Sequence, residues 1–276
     1  MILYSVHDWS DAYSNMIHIA GGERFPAIWA ERAPAYRAAA LAGGRARLDL
    51  AYGEGERERF DLFLPEGEPK GLVVFVHGGY WMDFDKSWWS HLAEGCNRIG
   101  FAVAMPSYSL CPMVRISQIA VQVAAAVDAA AGLVAGPVHL AGHSAGGHLV
   151  TRLLADNSAL SDATAQRIGM VVSISGVHDL RPMIRTAEND TLHLDAREAA
   201  EESPVLLNPR PGTRLVCWVG GAERAEFRRQ NALLANIWAG LGAATASHED
   251  PDRHHFDVLD GLLDPRHPLT RTLLGM

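Results

Sequence analysis

The sequence predicts an α/β fold: a mostly parallel central sheet with helices on both faces. Three observations predict it. Five short, nearly continuous apolar runs, at 72–76, 101–105, 138–141, 170–174 and 215–219, suit strands covered on both sides. Helical stretches fall around them, at 87–99, 116–134, 146–155 and 225–238. Strand alternating with helix implies right-handed crossovers onto one doubly covered sheet. Ahead of these, 47–52 and 59–64 alternate in polarity around Gly53 and Gly55, which marks an antiparallel hairpin at a sheet edge.

Taken in order, residues 1–44 mix aromatics (Tyr13, Phe25, Trp29, Tyr36) with charges and read as irregular structure and helix, an N-terminal extension. The hairpin and the alternating units follow. Within them, the Ala-rich stretch 119–134 keeps Gln122 and Asp128 and reads as a helix packed closely on the sheet. The polar, Pro-punctuated stretch 175–209 interrupts the alternation and reads as an insertion over the strand ends, a candidate cap. A chain of 276 residues, 48% hydrophobic and 20% charged, is expected to form one domain over 1–276 with a large core.

Charge and composition narrow the function. A net charge of −8 with no dense basic run argues against nucleic acid or an anionic membrane as partner. Cys96, Cys111 and Cys217 are an odd number without a CxxC pair, which fits buried thiols in a reducing compartment. The first residues lack a basic stretch followed by an apolar core, and no run approaches a membrane span. A cytoplasmic protein is expected, with a small-molecule substrate, no cofactor and no metal. The sequence leaves a homodimer open.

The strongest chemical signal is Gly142-His143-Ser144-Ala145-Gly146, a G-x-S-x-G between an apolar strand and an amphipathic helix. That context is what an α/β-hydrolase fold needs. A tight strand-to-helix turn holds the serine in a strained conformation, and flanking glycines let backbones approach. Ser144 then sits at a helix N-terminus, where the dipole favours developing negative charge. A Gly-rich turn without function is the competing reading, and the strand–turn–helix context weighs against it. His143 and His148 read as packing or orienting residues.

The second signal is His77-Gly78-Gly79-Tyr80-Trp81, directly after the strand at 72–76. Acyl transfer needs N–H groups fixed in advance around a developing oxyanion. Here those are the amides of Gly79, Ala145 and, as a third candidate, Tyr80. The rings of Tyr80, Trp81 and Trp88 are candidates for contact with substrate and equally for core packing.

In this fold the order along the chain is serine, acid, histidine. The base is expected at His255, before a helical pattern that starts with Phe256. His254 is the fallback, and His248 is read as the end of a strand. Glu223 is the first carboxylate after the strand at 215–219 and is the expected acid. Asp179 is its rival, while Glu226 reads as a charge near a helix N-terminus. A metal site from His248, His254, His255 and Asp257 lacks the helical spacing such ligands use.

Together, HGGYW at 77–81, GHSAGGHL at 142–149, SGVHDLRP at 175–182 and EFRRQ at 226–230 resemble the serine-type kynurenine formamidases, or arylformamidases. These are α/β-hydrolases related to hormone-sensitive-lipase-like esterases. The resemblance spans about 48–255, and weakly 11–15. It implies a triad of Ser144, Glu223 and His255. Where such proteins generally have Asp before S-P-E-F, this chain has Glu223 before Arg224-Ala225-Glu226-Phe227. The resemblance implies hydrolysis of an N-formyl arylamine through an acyl-enzyme. The same machinery also suits a carboxylesterase for small acyl esters. A non-catalytic binding protein on this scaffold is disfavoured by the presence of both serine and histidine.

Overall fold

The computed structural model describes residues 5–276. Its centre is an eight-stranded sheet. The strands are β1 (Ala46–Ala51), β2 (Arg59–Phe63), β3 (Leu72–Val76), β4 (Ala102–Pro106), β5 (Val138–His143), β6 (Ile168–Ile174), β7 (Arg214–Gly220) and β8 (Ala244–Asp250). Their spatial order is β1-β2-β4-β3-β5-β6-β7-β8. The first two pairings, β1 with β2 and β2 with β4, are antiparallel, and all others are parallel. The hairpin and the doubly covered sheet expected from the sequence are therefore both present. All residues of β3, β4 and β5 are buried, which is why their sequences are nearly continuous apolar runs, broken in β5 by His139 and His143, rather than alternating ones. Strand β8 lies at the edge and is mostly exposed, so its sequence, Ala-Thr-Ala-Ser-His-Glu-Asp, carries little hydrophobic signal.

Among the described residues, ten α-helices surround the sheet: α1 (Trp9–Tyr13), α2 (Phe25–Ala42), α3 (Glu94–Ile99), α4 (Ile116–Ala131), α5 (Ala145–Arg152), α6 (Asp162–Ala165), α7 (Asn189–Leu192), α8 (Ala196–Glu201), α9 (Ala225–Gly240) and α10 (Pro268–Leu273). Helix α4 buries Ile116, Ile119, Ala120, Val123, Ala124, Val127 and Ala131, the stripe its 3.6-residue period produces. The alanines let it lie close on the sheet. Each buried valine or isoleucine contributes roughly 1.5–3 kcal/mol.

One helix expected from the sequence is broken. Residues 87–99 form two 3-10 turns, Lys86–Trp88 and Ser90–Ala93, before α3 begins. Tertiary packing overrides local propensity here. Trp89 is turned inward, its ring 4.7 Å from that of Trp29 on α2, and the Asp85 carboxylate accepts from the Ser87 amide at 2.6 Å. Residues 175–209 form short turns with α7 and α8 among them, and they bury Leu180, Met183, Leu192, Leu194 and Val205. Among the described residues, no helix is long and apolar enough to cross a membrane.

The register of the sheet sets up the site. Strand β3 pairs with β5 from Leu72 opposite Val138 to Val76 opposite Gly142. His143 lies opposite Ile174, Ile174 opposite Trp218, and Gly220 opposite Asp250. The carboxyl ends of β3, β5, β6, β7 and β8 are thus level. The chain segments that leave them, at 77–79, 144, 175, 221–223 and 251–255, share one rim, where ligands bind in open α/β sheets.

Several histidines are held in the core as neutral packing groups. Burial keeps His77, His91 and His148 down at about 4 and His178 at about 3. Because these values lie below that of the unfolded chain, the unfolded state binds more protons at mildly acidic pH. Stability present above about pH 6.5 is therefore expected to be lost as pH falls toward 4, on the order of 1–2 kcal/mol per histidine by pH 5. Urea melts at pH 7.5 and pH 5 check this. A midpoint that stays level between them would contradict it.

Candidate active site

The turn at Ser144 is shaped by close backbone contact. Ser144 has φ 54° and ψ −116°, a conformation non-glycine residues rarely adopt, and it caps the N-terminus of α5. The strain persists because the neighbours leave no other path. A Cβ on Gly146 would stand 2.0 Å from the Val76 carbonyl oxygen, and one on Gly142 would stand 2.1 Å from the Gly146 oxygen. The elbow is thereby pressed against the end of β3, and the hydroxyl-bearing residue is presented at the rim.

The loop after β3 runs beside it. Gly79 has φ +113°, and a side chain there would strike the Asp83 carbonyl oxygen at 2.5 Å. Tyr80 and Trp81 also have positive φ, 49° and 57°. His77 braces the loop: its ring stacks on Tyr108 at 4.3 Å, and the Tyr108 hydroxyl donates to the His77 carbonyl at 2.9 Å. Among the described residues, the amides of Gly79 and Tyr80 donate to no backbone acceptor. The Ala145 amide, first in its helix, has no intrahelical partner.

His255 and Glu223 meet at the same rim. The His255 Nδ1–H donates to Glu223 Oε2 at 2.7 Å. The other carboxylate oxygen, Oε1, accepts from the Ser175 hydroxyl at 2.6 Å and from the Gly220 amide at 2.7 Å. Both side chains are buried, and the Phe227 ring lies 4.5 Å from the imidazole. With Nδ1 protonated by this contact, Nε2 carries the lone pair. His143 supports the arrangement from behind, its Nε2–H donating to the His255 carbonyl at 2.9 Å. Burial holds His143 well below the usual imidazole range, so it stays neutral.

The rival carboxylates are engaged elsewhere. Asp179 is clamped by Arg181, with contacts of 2.8 and 2.9 Å. Glu226 is nearly fully buried and accepts from Tyr13, Arg229 and Gln230. It therefore does more than stand near a helix end: it pins α1 onto α9. His248 stacks on Trp218 at 3.8 Å, and His254 Nδ1 accepts from the amides of Phe256 and Asp257. Among the described residues, no cluster of His, Cys, Asp or Glu is arranged to hold a metal.

Ser144, His255, His143, Gly78 and Gly79 line one cavity of about 240 Å³. Tyr80 lines it as well, its hydroxyl donating to the Tyr13 carbonyl at 2.6 Å. Trp81 and Trp88, expected as further contacts, do not line it. Trp81 is buried, its Nε1–H donating to His148 Nδ1 at 3.2 Å, and Trp88 packs on Phe84. The turn of positive-φ residues at Tyr80 and Trp81 sends Trp81 inward, so adjacency to the glycines does not make it a wall. The aromatic walls are instead Trp29, Phe84, Trp89 and Phe256. The N-terminal segment adds Ser14, Asn15 and Met16, and two carboxylates, Asp83 and Glu188, complete the lining. Only the weak similarity at 11–15 hinted that the N-terminus belongs to the site.

Comparison with known proteins places this geometry. The alpha/beta hydrolase family matches residues 73–274. A kynurenine formamidase of Salmo salar is 29% identical over 83% of this chain and 81% of its own. One from Drosophila melanogaster is 31% identical over 76% and 75%. The crystal structure of a candidate thioesterase from a Silicibacter species superposes with a TM-score of 0.91 at 49% identity, covering 96% of this chain and 98% of that one. The chain belongs to the α/β hydrolase family and is a hydrolase of kynurenine formamidase-like type.

Proposed function

We propose that the protein hydrolyses an N-formyl arylamine, similar to N-formylkynurenine, through a formyl-enzyme on Ser144. The observation that carries this reading is the 2.7 Å contact from the buried Glu223 to His255, which lines one cavity together with Ser144. His255 Nε2 takes the Ser144 proton as Oγ adds to the formyl carbon. The amides of Gly79 and Ala145, with Tyr80 as a third donor, hold the oxyanion. The C–N bond breaks as His255 returns the proton to the leaving amine, and water then releases formate by the reverse sequence. Glu223 keeps the imidazole tautomer and stabilises its charged form. A formyl group is one hydrogen larger than a carbonyl, so the aromatic walls at Trp29, Phe84, Trp89 and Phe256 serve the leaving arylamine.

The kynurenine formamidases among the relatives support the formamide. The 49% identity to a candidate thioesterase supports a second reading, hydrolysis of small acyl esters by the same residues. Measuring kcat/KM on N-formyl-L-kynurenine beside short-chain p-nitrophenyl esters, with Ser144→Ala as blank, separates them. The expected result is a formamide preference of several decades. Fast ester cleavage with negligible formamide turnover would move the protein to the esterases.

A further inference from the structure

Two polar atoms of residues that line the cavity are unused by the proposed chemistry, and they are of opposite sense. His143 braces the His255 carbonyl through its Nε2–H. Burial keeps the ring neutral, so Nδ1 carries a lone pair and no proton. Trp89 is an aromatic wall, yet its indole Nε1–H is also a donor. Both side chains are more than nine-tenths buried, and both line the cavity with Ser144. Neither His143 Nδ1 nor Trp89 Nε1 has a hydrogen-bond partner among the described residues. Buried donors and acceptors are almost always paired, so two open ones at one cavity point to a ligand.

A second tryptophan–histidine pair in the same molecule shows the closed arrangement. In the core, Trp81 Nε1–H donates to His148 Nδ1 at 3.2 Å, with ring centroids 5.2 Å apart. The Trp89 and His143 rings stand 6.4 Å apart, and no such bond joins them. The closed pair lies away from the cavity and the open pair lines it. His143 Nδ1 is also close to the reacting group. A Cβ on Gly78 would stand 3.3 Å from this nitrogen and 3.0 Å from the Ser144 Cβ. An acceptor beside the nucleophile suits an N–H on the bond being broken. A formamide has that N–H, whereas an ester has an oxygen without hydrogen in its place.

We propose that His143 Nδ1 and Trp89 Nε1–H are a specificity pair: the first accepts the N–H of the scissile formamide, and the second donates to a carbonyl at the ortho position of the leaving arylamine. In an ortho-acyl formanilide these two groups lie side by side and bond to each other, and the enzyme's acceptor and donor take them up separately. The proposal rests on the formamidase reading of Ser144 and adds to it a physical reason for amide over ester. No proton passes to His143. The N–H stays on nitrogen, and the proton that the leaving amine gains comes from His255.

The test uses the full chain and two substrate pairs. Formanilide and phenyl formate differ by N–H against O, and 2-acetylformanilide and 2-ethylformanilide differ by the ortho carbonyl. His143→Gln keeps an N–H for the His255 carbonyl and removes the Nδ1 acceptor. The amide-to-ester ratio of kcat/KM is expected to fall about tenfold in this variant relative to wild type. Trp89→Phe keeps a ring and removes the donor, and the acetyl-to-ethyl ratio is expected to fall by a similar factor. Each ratio is taken on one preparation, so loss of folded protein cancels from it. A merely structural role for either residue would lower both members of its substrate pair together. A ratio that stays within about threefold of wild type in either variant therefore overturns the pair. Wild-type cleavage of phenyl formate without formanilide turnover overturns the proposal and the formamidase reading together, whereas formanilide turnover with unmoved ratios overturns the proposal alone.

Discussion

Replacing Ser144 by alanine is expected to lower kcat about 10⁵- to 10⁶-fold with KM changed by only a few-fold. The change removes one oxygen and leaves the cavity, the glycine loop and the His255–Glu223 pair in place. Binding should therefore survive while bond formation does not. Ser144→Gly is expected to be equally inactive yet more stable, by about 1 kcal/mol, because glycine accepts φ 54° and ψ −116° without strain. The two variants together test a single idea: that the elbow's strain is kept for the nucleophile and not for the fold. Steady-state kinetics with either substrate class, beside thermal melts, read both effects. Activity above about 1% of wild type in the alanine variant would remove Ser144 as the proposed nucleophile.

The parts of this molecule that could be read from sequence are those with a local physical cause. Strands β3, β4 and β5 announce themselves because both faces are buried, leaving no polar alternation to confuse them with loops. Ser144 is legible because the elbow needs glycine on both sides within five residues. Glu223 is legible because β7 ends just before it and the next carboxylate, Glu226, is already on a helix. By contrast, Glu188 and Trp29 reach the cavity from elements far away in the chain, and nothing in their own neighbourhood marks them. The direction in which a side chain points is equally hidden. Tyr80 and Trp81 are adjacent aromatics in the same motif, yet one lines the cavity and the other is buried against His148, because two successive positive-φ residues turn the loop. The 87–99 stretch fails for a related reason: Trp89 is drawn against Trp29, a contact across 60 residues of sequence that local propensity cannot register.

Distance along the chain also explains why the N-terminal segment is easy to overlook. Tyr13 donates to Glu226 at 2.8 Å, Gln230 reaches the same Tyr13 oxygen at 2.9 Å, and Arg224, next to Glu223, pairs with Asp11. The segment 8–16 is thereby tied to the loop and helix that follow β7. Its residues Ser14, Asn15 and Met16 then form one wall of the cavity. An amphipathic pattern cannot encode this, because the α-helix of this segment is only five residues long, Trp9–Tyr13.

Glu223→Gln is expected to lower kcat about 10³- to 10⁴-fold, far more than the loss of one charge at the surface would. The hydrogen-bond network fixes the outcome. Oε1 accepts from both the Ser175 hydroxyl and the Gly220 amide, so the glutamine carbonyl must keep that position. Its NH₂ group is then forced onto His255 Nδ1, where Glu223 Oε2 now accepts. Meeting that donor requires Nδ1 to be unprotonated, which moves the imidazole hydrogen to Nε2 and removes the lone pair that the proposed mechanism needs. The Asp179→Asn variant gives the contrast. Asp179 is paired with Arg181 rather than with the imidazole, so its loss is expected to change kcat/KM by less than about tenfold. A larger loss from Asp179→Asn than from Glu223→Gln would transfer the role of acid to Asp179. If instead Glu223→Gln retains more than a tenth of wild-type kcat, the tautomer argument is wrong and the imidazole is held by something other than this carboxylate.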